Sequence, residues 1–138
     1  MNVTVAVPFI KGKSRPRFAN GRAYTPRSTH DAERAIANEY RATCMAEFGR
    51  VMRADRGTPV SVAVMTERNV RSRTRKADGN TQPDVDTPDA DNVAKLVLDA
   101  LNGVAWADDA QVNEMHVYKL DRQRGCPPRT TVVIEWED

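Results

Sequence analysis

Two aspartates spaced two residues apart, a lysine one helical turn later and a further acidic pair beyond the helix are the most chemically suggestive residues in the chain. They stand in "PDADNVAKLVLDALNG" (Pro88 to Gly103) and "WADDAQ" (Trp106 to Gln111) as Asp89, Asp91, Lys95, Asp108 and Asp109. From Asp78 to Asp91 there are five aspartates and no lysine or arginine. A helix start stabilises an acidic side chain by about 0.3–1 kcal/mol. Pairs Asp91–Lys95 and Lys95–Asp99 add about 0.2–0.5 kcal/mol each. That plainer reading covers one or two of these residues and leaves the crowding unexplained. Crowded carboxylates raise one another's pKa unless a cation neutralises them, so the pattern suggests a bound divalent metal.

The donor types narrow the choice of ion. Cys44 and Cys126 lack metal-ligand spacing, and His30 and His116 stand alone, which argues against zinc and for packing or surface roles. Oxygen donors alone suit Mg²⁺, with Mn²⁺ as its substitute. A calcium loop read from Asp84 fails, because Asp89 stands where glycine is needed and Lys95 where glutamate is needed. "KGKS" (Lys11 to Ser14) is not a phosphate loop, since Val7 occupies the position of its first glycine.

The basic residues are just as unevenly placed. Lys11, Lys13, Arg15, Arg17, Arg22 and Arg27 run without an acidic residue between them, as do Arg68, Arg71, Arg73, Arg75 and Lys76. Such segments bind phosphates of a polyanion, while neighbouring carboxylates hold the cation that reacts with one of them. Solvated arginine-rich loops are the plainer alternative. The net charge of +2 conceals this segregation.

These groups need a scaffold. With 138 residues, 40% hydrophobic and 29% charged, the chain reads as a single soluble domain over 1–138. No apolar run nears the roughly 20 residues of a membrane helix. The start "MNVTVAVPFIKGK" lacks the pattern of a signal peptide, and two unpaired thiols fit the cytoplasm. Alternation at Val3, Val5 and Val7 predicts a first strand ended by Pro8. Residues 9–27 read as a loop or irregular hairpin, with a short strand near Arg22 to Thr25. Ser28 or Thr29 is expected to cap a helix reaching Phe48, with Asp31 and Glu33 in its first turn and Gly49 as its stop.

Further strands are expected at Val60 to Met65, Val112 to Leu120 and Thr130 to Glu135, and residues 68–86 read as one long surface loop. The second helix runs from about Asp89 to Asn102 and is closed by Gly103, with Thr87 and Asp89 as competing caps. Val93, Leu96, Val97, Ala100, Leu101 and Val104 share its buried stripe. Asp91, Lys95 and Asp99 step by four along the opposite side. The fold class expected is α/β (α+β): a small mixed sheet of about four strands with two main helices on it.

At this point the residues resemble the signature of the RusA family of Holliday-junction resolvases. The shared pattern is Asp-x-Asp-Asn, a lysine four residues after the second aspartate, Asp-Ala-Leu, and an Asp-Asp-x-Gln turn, continuous over Pro88 to Val112. "GKSRPRF" and "GRAYTP" are similar to N-terminal segments of phage-type members. The resemblance implies that Asp89, Asp91 and Asp109 are the catalytic, metal-binding carboxylates and Lys95 the catalytic lysine. Asp108 stands beside the third as a helper, and Asp99 pairs with Lys95.

The resemblance further implies Mg²⁺-dependent hydrolysis of four-way junction DNA by a homodimer in a bacterial or phage-infected cytoplasm. The expected DNA contacts are Lys11, Lys13, Arg15, Arg17, Arg71, Arg73, Arg75 and Lys76. Many members carry Lys or Arg just before the motif where this chain has Thr87, and Arg73, Arg75 or Lys76 are the substitutes. A broader flap nuclease and a non-catalytic junction-binding module are the alternatives.

Overall fold

The computed structural model describes residues 1–71 and 81–138. Its strands and helices follow in the order β1 (Asn2–Val7), β2 (Arg17–Ala19), β3 (Arg22–Tyr24), α1 (Arg27–Phe48), β4 (Val60–Glu67), β5 (Thr81–Gln82), α2 (Ala90–Leu101), β6 (Val112–Lys119), β7 (Arg122–Gln123) and β8 (Arg129–Trp136). A short 3₁₀ turn, Asp109–Gln111, leads into β6.

The main sheet has the order β1-β8-β4-β6. β8 lies antiparallel to both β1 and β4, whereas β4 and β6 are parallel. Parallel neighbours need a crossover, and α2 supplies it, so the motif helix is fixed to the sheet at both ends. The fold is α+β, two helices with a mixed four-stranded sheet and two small two-stranded ones.

Strand alternation decides which face is covered. Val3, Val5 and Val7, Val60, Val62 and Val64, and Val132, Ile134 and Trp136 are all buried. Ile36, Tyr40 and Cys44 from α1 join them, as do Val93, Leu96, Val97, Ala100 and Leu101 from α2. Val104 packs at the edge of this core. Tyr40 is fully buried and donates its hydroxyl hydrogen to the Met52 carbonyl at 2.7 Å, which satisfies the one polar atom it brings inside. Cys44 and Cys126 are both free thiols.

Three local expectations need correction. Helix α1 starts one residue before Ser28, after Pro26, and has no side-chain cap and no acidic residue in its first turn. Proline's fixed φ sets the entry, while Thr29 is drawn into the interior. Gly49 closes α1 in the left-handed conformation, as expected. Residues 9–27 contain a regular hairpin: β2 and β3 pair through Asn20 and Gly21, both at positive φ, a geometry that favours Asn-Gly. The stretch 68–86 is not one free loop, because Thr81 and Gln82 pair with Gln123 and Arg122 and so staple its far end to β7.

Candidate active site

The site is organised around the start of α2. The chain enters through a cis Thr87–Pro88 peptide, and Asp89 occupies the N-cap position with extended backbone angles. Its side chain makes no cap hydrogen bond, so the carboxylate is not consumed by the helix end. Burial of Val93, Leu96 and Val97 turns the opposite side of the helix outward. Asp91 and Lys95 stand there with side chains 69% and 62% exposed, 3.8 Å apart. An exposed pair at that distance contributes about 0–1 kcal/mol to stability, so both charges remain available to another partner.

The N-terminal basic segment lies against this helix start. Lys13 donates its backbone N–H to the Asn92 carbonyl at 2.8 Å. Gly12 passes so close that an added Cβ would sit 2.7 Å from Pro88 Cβ and 3.1 Å from Asn92 Cβ. Glycine is required there by proximity. Between the segment and the helix opens a cleft of about 470 Å³ whose lining includes Lys11, Lys13, Ser14, Arg68, Asp89 and Asn92. A slightly larger cleft of about 510 Å³ lies beside Met1 and Trp136, but its charged side chains, Glu114, Glu135 and Glu137, are acidic and would repel phosphate.

Lys13 itself is a brace. Its ammonium meets Glu33 of α1 and Asp99 of α2, each at 2.8 Å. Burial lowers the Lys13 pKa, but these two carboxylates outweigh it and hold the amine above its ordinary value. Asp99 was expected to pair with Lys95. It takes Lys13 instead, a residue far away in sequence and adjacent in space.

Asp109 is positioned from the other end of α2. Fully buried Trp106 donates its indole N–H to Asp109 Oδ1 at 2.8 Å. Burial raises the Asp109 pKa, the Trp106 hydrogen bond opposes the rise, and the charges of Asp99 and Asp108 reinforce it. Asp108 and Gln111 build the turn: Asp108 accepts from the Ala110 N–H, and Gln111 accepts from the Ala107 and Asp108 N–H groups. Gln111 also donates to the Asp55 and Thr58 carbonyls. Asp108 therefore caps the turn that presents Asp109. The Asp-x-x-Gln spacing is a capping-box signal that a search for chemistry alone passes over, as it passes over Trp106.

Two other aspartates are committed to protein cations. Arg68 grips Asp84 with two hydrogen bonds, at 2.8 and 2.7 Å, and donates to the Thr87 carbonyl at 3.0 Å. Arg122 reaches Asp86 at 2.7 Å, Arg71 pairs with the same carboxylate, and Lys119 donates to the Asp86 carbonyl. Burial pulls the Asp84 pKa upward, but Arg68, the Asp86 N–H and Arg122 outweigh it and hold the carboxyl below its usual range. Asp84 and Asp86 are thus neutralised by protein cations. Arg68 and Arg71, read from sequence as unopposed, face acidic partners.

Lys11 is half-buried beside the cleft, and Arg15 and Arg17 are exposed. Arg73, Arg75, Lys76 and Asp78 lie outside the described residues. His30 is exposed beside Glu33, and His116 stacks on Tyr118.

The donor set of Asp89, Asp91 and Asp109 is all carboxylate oxygen, which fits a hard divalent ion. A cation near Asp109 would also relieve its repulsion with Asp99 and Asp108. Among the described residues, however, no three acidic, histidine or cysteine side chains are gathered as a ready-made cage. Asp89 and Asp91 stand at the start of α2, and Asp109 opens the 3₁₀ turn that follows it.

A carboxylate-bearing helix start beside a basic cleft, on a small mixed sheet, suits enzymes whose acidic side chains hold a divalent ion for phosphodiester hydrolysis. The family model of endodeoxyribonuclease RusA matches residues 8–135, nearly the whole chain, and the chain belongs to that family. It is accordingly an endodeoxyribonuclease of the crossover-junction class, and its family resolves Holliday junctions with divalent-metal-dependent chemistry. No curated protein is significantly similar to it in sequence. No helix among the described residues is long and apolar enough to cross a membrane.

Proposed function

We propose that this chain, as one domain over 1–138, resolves four-way DNA junctions by Mg²⁺-dependent hydrolysis, with Mn²⁺ able to substitute. The observation that carries the reading is Asp89, uncommitted as a cap, beside a cleft lined by Lys11 and Arg68 in a RusA-family chain. Asp89, Asp91 and Asp109 would hold the ion. When bound, a divalent cation lowers the pKa of an attacking water and stabilises the leaving oxygen.

The chain's own residues do the rest. Lys95, one turn from Asp91 and exposed, offsets the charge that develops on the scissile phosphate. Trp106 orients Asp109 through its indole N–H. Lys11 neutralises a phosphate in the cleft, and Lys13 holds the cleft wall to α1 and α2. Arg15 and Arg17 grip one junction arm, and Arg71, Arg73, Arg75 and Lys76 serve a second. Lysine and arginine contacts of this kind make binding strongly salt-dependent. A four-way junction is cut twice and has approximate two-fold symmetry, so a homodimer with one site per subunit, acting in the cytoplasm, completes the reading.

Competition among substrates tests it. Given equal amounts of labelled four-way junction, replication fork and flap, the protein should consume the junction first and leave paired nicks. Equal rates on all three would replace junction resolution with broader branched-DNA cleavage.

A further inference from the structure

The hairpin β2–β3 has an unusual surface. All six of its strand residues are exposed. Phe18 is 79% exposed and Tyr24 46%. Scattered apolar residues on a surface need no explanation, but these two sit on a strongly basic element. No acidic residue occurs from Lys11 to Arg27, and Arg17 and Arg22 lie within the strands themselves.

The register sorts them by face. Phe18 is opposite Ala23, whereas Arg17 is opposite Tyr24 and Ala19 opposite Arg22. Cross-strand partners share a face and neighbours alternate. Phe18 therefore has only a methyl group across from it, and its ring lies open. On the other face Arg17 stands against Tyr24. The Asn20–Gly21 turn, with both residues at positive φ, sets this register.

We propose that Phe18 is a base-stacking contact for unstacked bases at the branch point of DNA. This rests on the reading of the chain as a branched-DNA nuclease. The ring is exposed on one face of a hairpin whose other face carries Arg17 and Arg22, which divides the two tasks of a nucleic-acid platform: cations hold the backbone and a ring takes a base. Apolar side chains that enter between base steps also stabilise opened DNA. Linear duplex keeps its bases stacked and offers Phe18 nothing, so the contact discriminates branched from unbranched DNA. A second copy of the chain is a poorer occupant, since two such hairpins would bring like charges together.

The test is binding in EDTA, where DNA stays uncut, using a four-way junction with 2-aminopurine at the branch point and a linear duplex of matched length. Phe18→Ala should weaken junction binding about 10-fold, leave duplex binding unchanged and abolish the 2-aminopurine signal seen with wild type. Phe18→Trp should restore both, and melting temperature should not change. Unchanged junction affinity in Phe18→Ala overturns the proposal. So does an equal loss on junction and duplex, or a shift in self-association by sedimentation in place of the binding change. Failure of wild type to cut the junction with Mg²⁺ would sink the nuclease reading separately, because the binding comparison needs no cleavage.

Discussion

The Arg68 guanidinium is shared between the Asp84 carboxylate and the Thr87 carbonyl, which ties the backbone two residues before Asp89 to the end of β4. The Asp84 side chain is only 1% exposed. Removing one partner of a buried pair leaves an uncompensated charge and costs about 3 kcal/mol. Asp84→Ala is therefore expected to lower the melting temperature by about 8–12 °C. Arg71→Ala, whose partner Asp86 is more open to solvent, should lower it far less. Calorimetry of both variants makes the comparison.

The same pair sets an acid limit. The folded state holds the Asp84 carboxyl below its ordinary value, so its contribution is complete above the unfolded pKa of about 3.9 and is lost as pH falls through the folded one. The melting-temperature gap between wild type and Asp84→Asn should be constant near neutrality and close below about pH 4. A gap that persisted at lower pH would separate Asp84 from this linkage.

Gly12 couples the basic segment to the helix start. Gly12→Ala places a methyl group against Pro88 and Asn92, so either the loop or the Pro88 turn must shift. Misplacement of about 1 Å in a reacting constellation costs up to about 10²-fold in rate. The expected result is a 10- to 100-fold lower kcat/KM on junction DNA with the fold retained by circular dichroism.

Much of this arrangement was legible because it is local. The buried stripe of α2 follows from helical periodicity, and it turns Asp91 and Lys95 outward without any knowledge of the sheet. Valine alternation located β1, β4 and β8 in the same way. The Asn20–Gly21 turn and the Asp108-x-x-Gln111 cap were local signals too, but weaker than the chemistry beside them.

What the sequence hid is long-range pairing. Arg122 stands 36 residues from Asp86, and Lys13 meets Asp99 across the whole first half of the fold. Asp84 and Asp86, which look crowded along the chain, are neutralised by the cations they attract, and Arg122 reaches both. Asp84 and Asp86 are thereby accounted for as ion-pair partners.

Lys95 should be dispensable for folding and important for rate. Its contact with Asp91 is exposed, so Lys95→Ala is expected to change stability by less than about 0.5 kcal/mol. Loss of a positive group that stabilises developing charge typically costs about 10²–10³-fold in kcat. Single-turnover cleavage, measured beside thermal melting, separates the two effects.

Asp109 carries an electrostatic cost without a cation. Replacing it by Asn keeps an oxygen for the Trp106 N–H and removes the repulsion with Asp99 and Asp108. Asp109→Asn should melt about 1–2 °C above wild type in EDTA. Mg²⁺ at ten times its Kd should stabilise wild type by about 1.4 kcal/mol and the variant by much less.

The central claim is that the carboxylates at the start of α2 run metal-dependent junction cleavage. The most direct measurement is cleavage of a synthetic four-way junction by wild type and Asp91→Asn, each with Mg²⁺ and with EDTA, alongside junction binding. Wild type should cut only with Mg²⁺, and Asp91→Asn should bind the junction as wild type does yet fail to cut it. Cutting by Asp91→Asn at the wild-type rate would contradict the account.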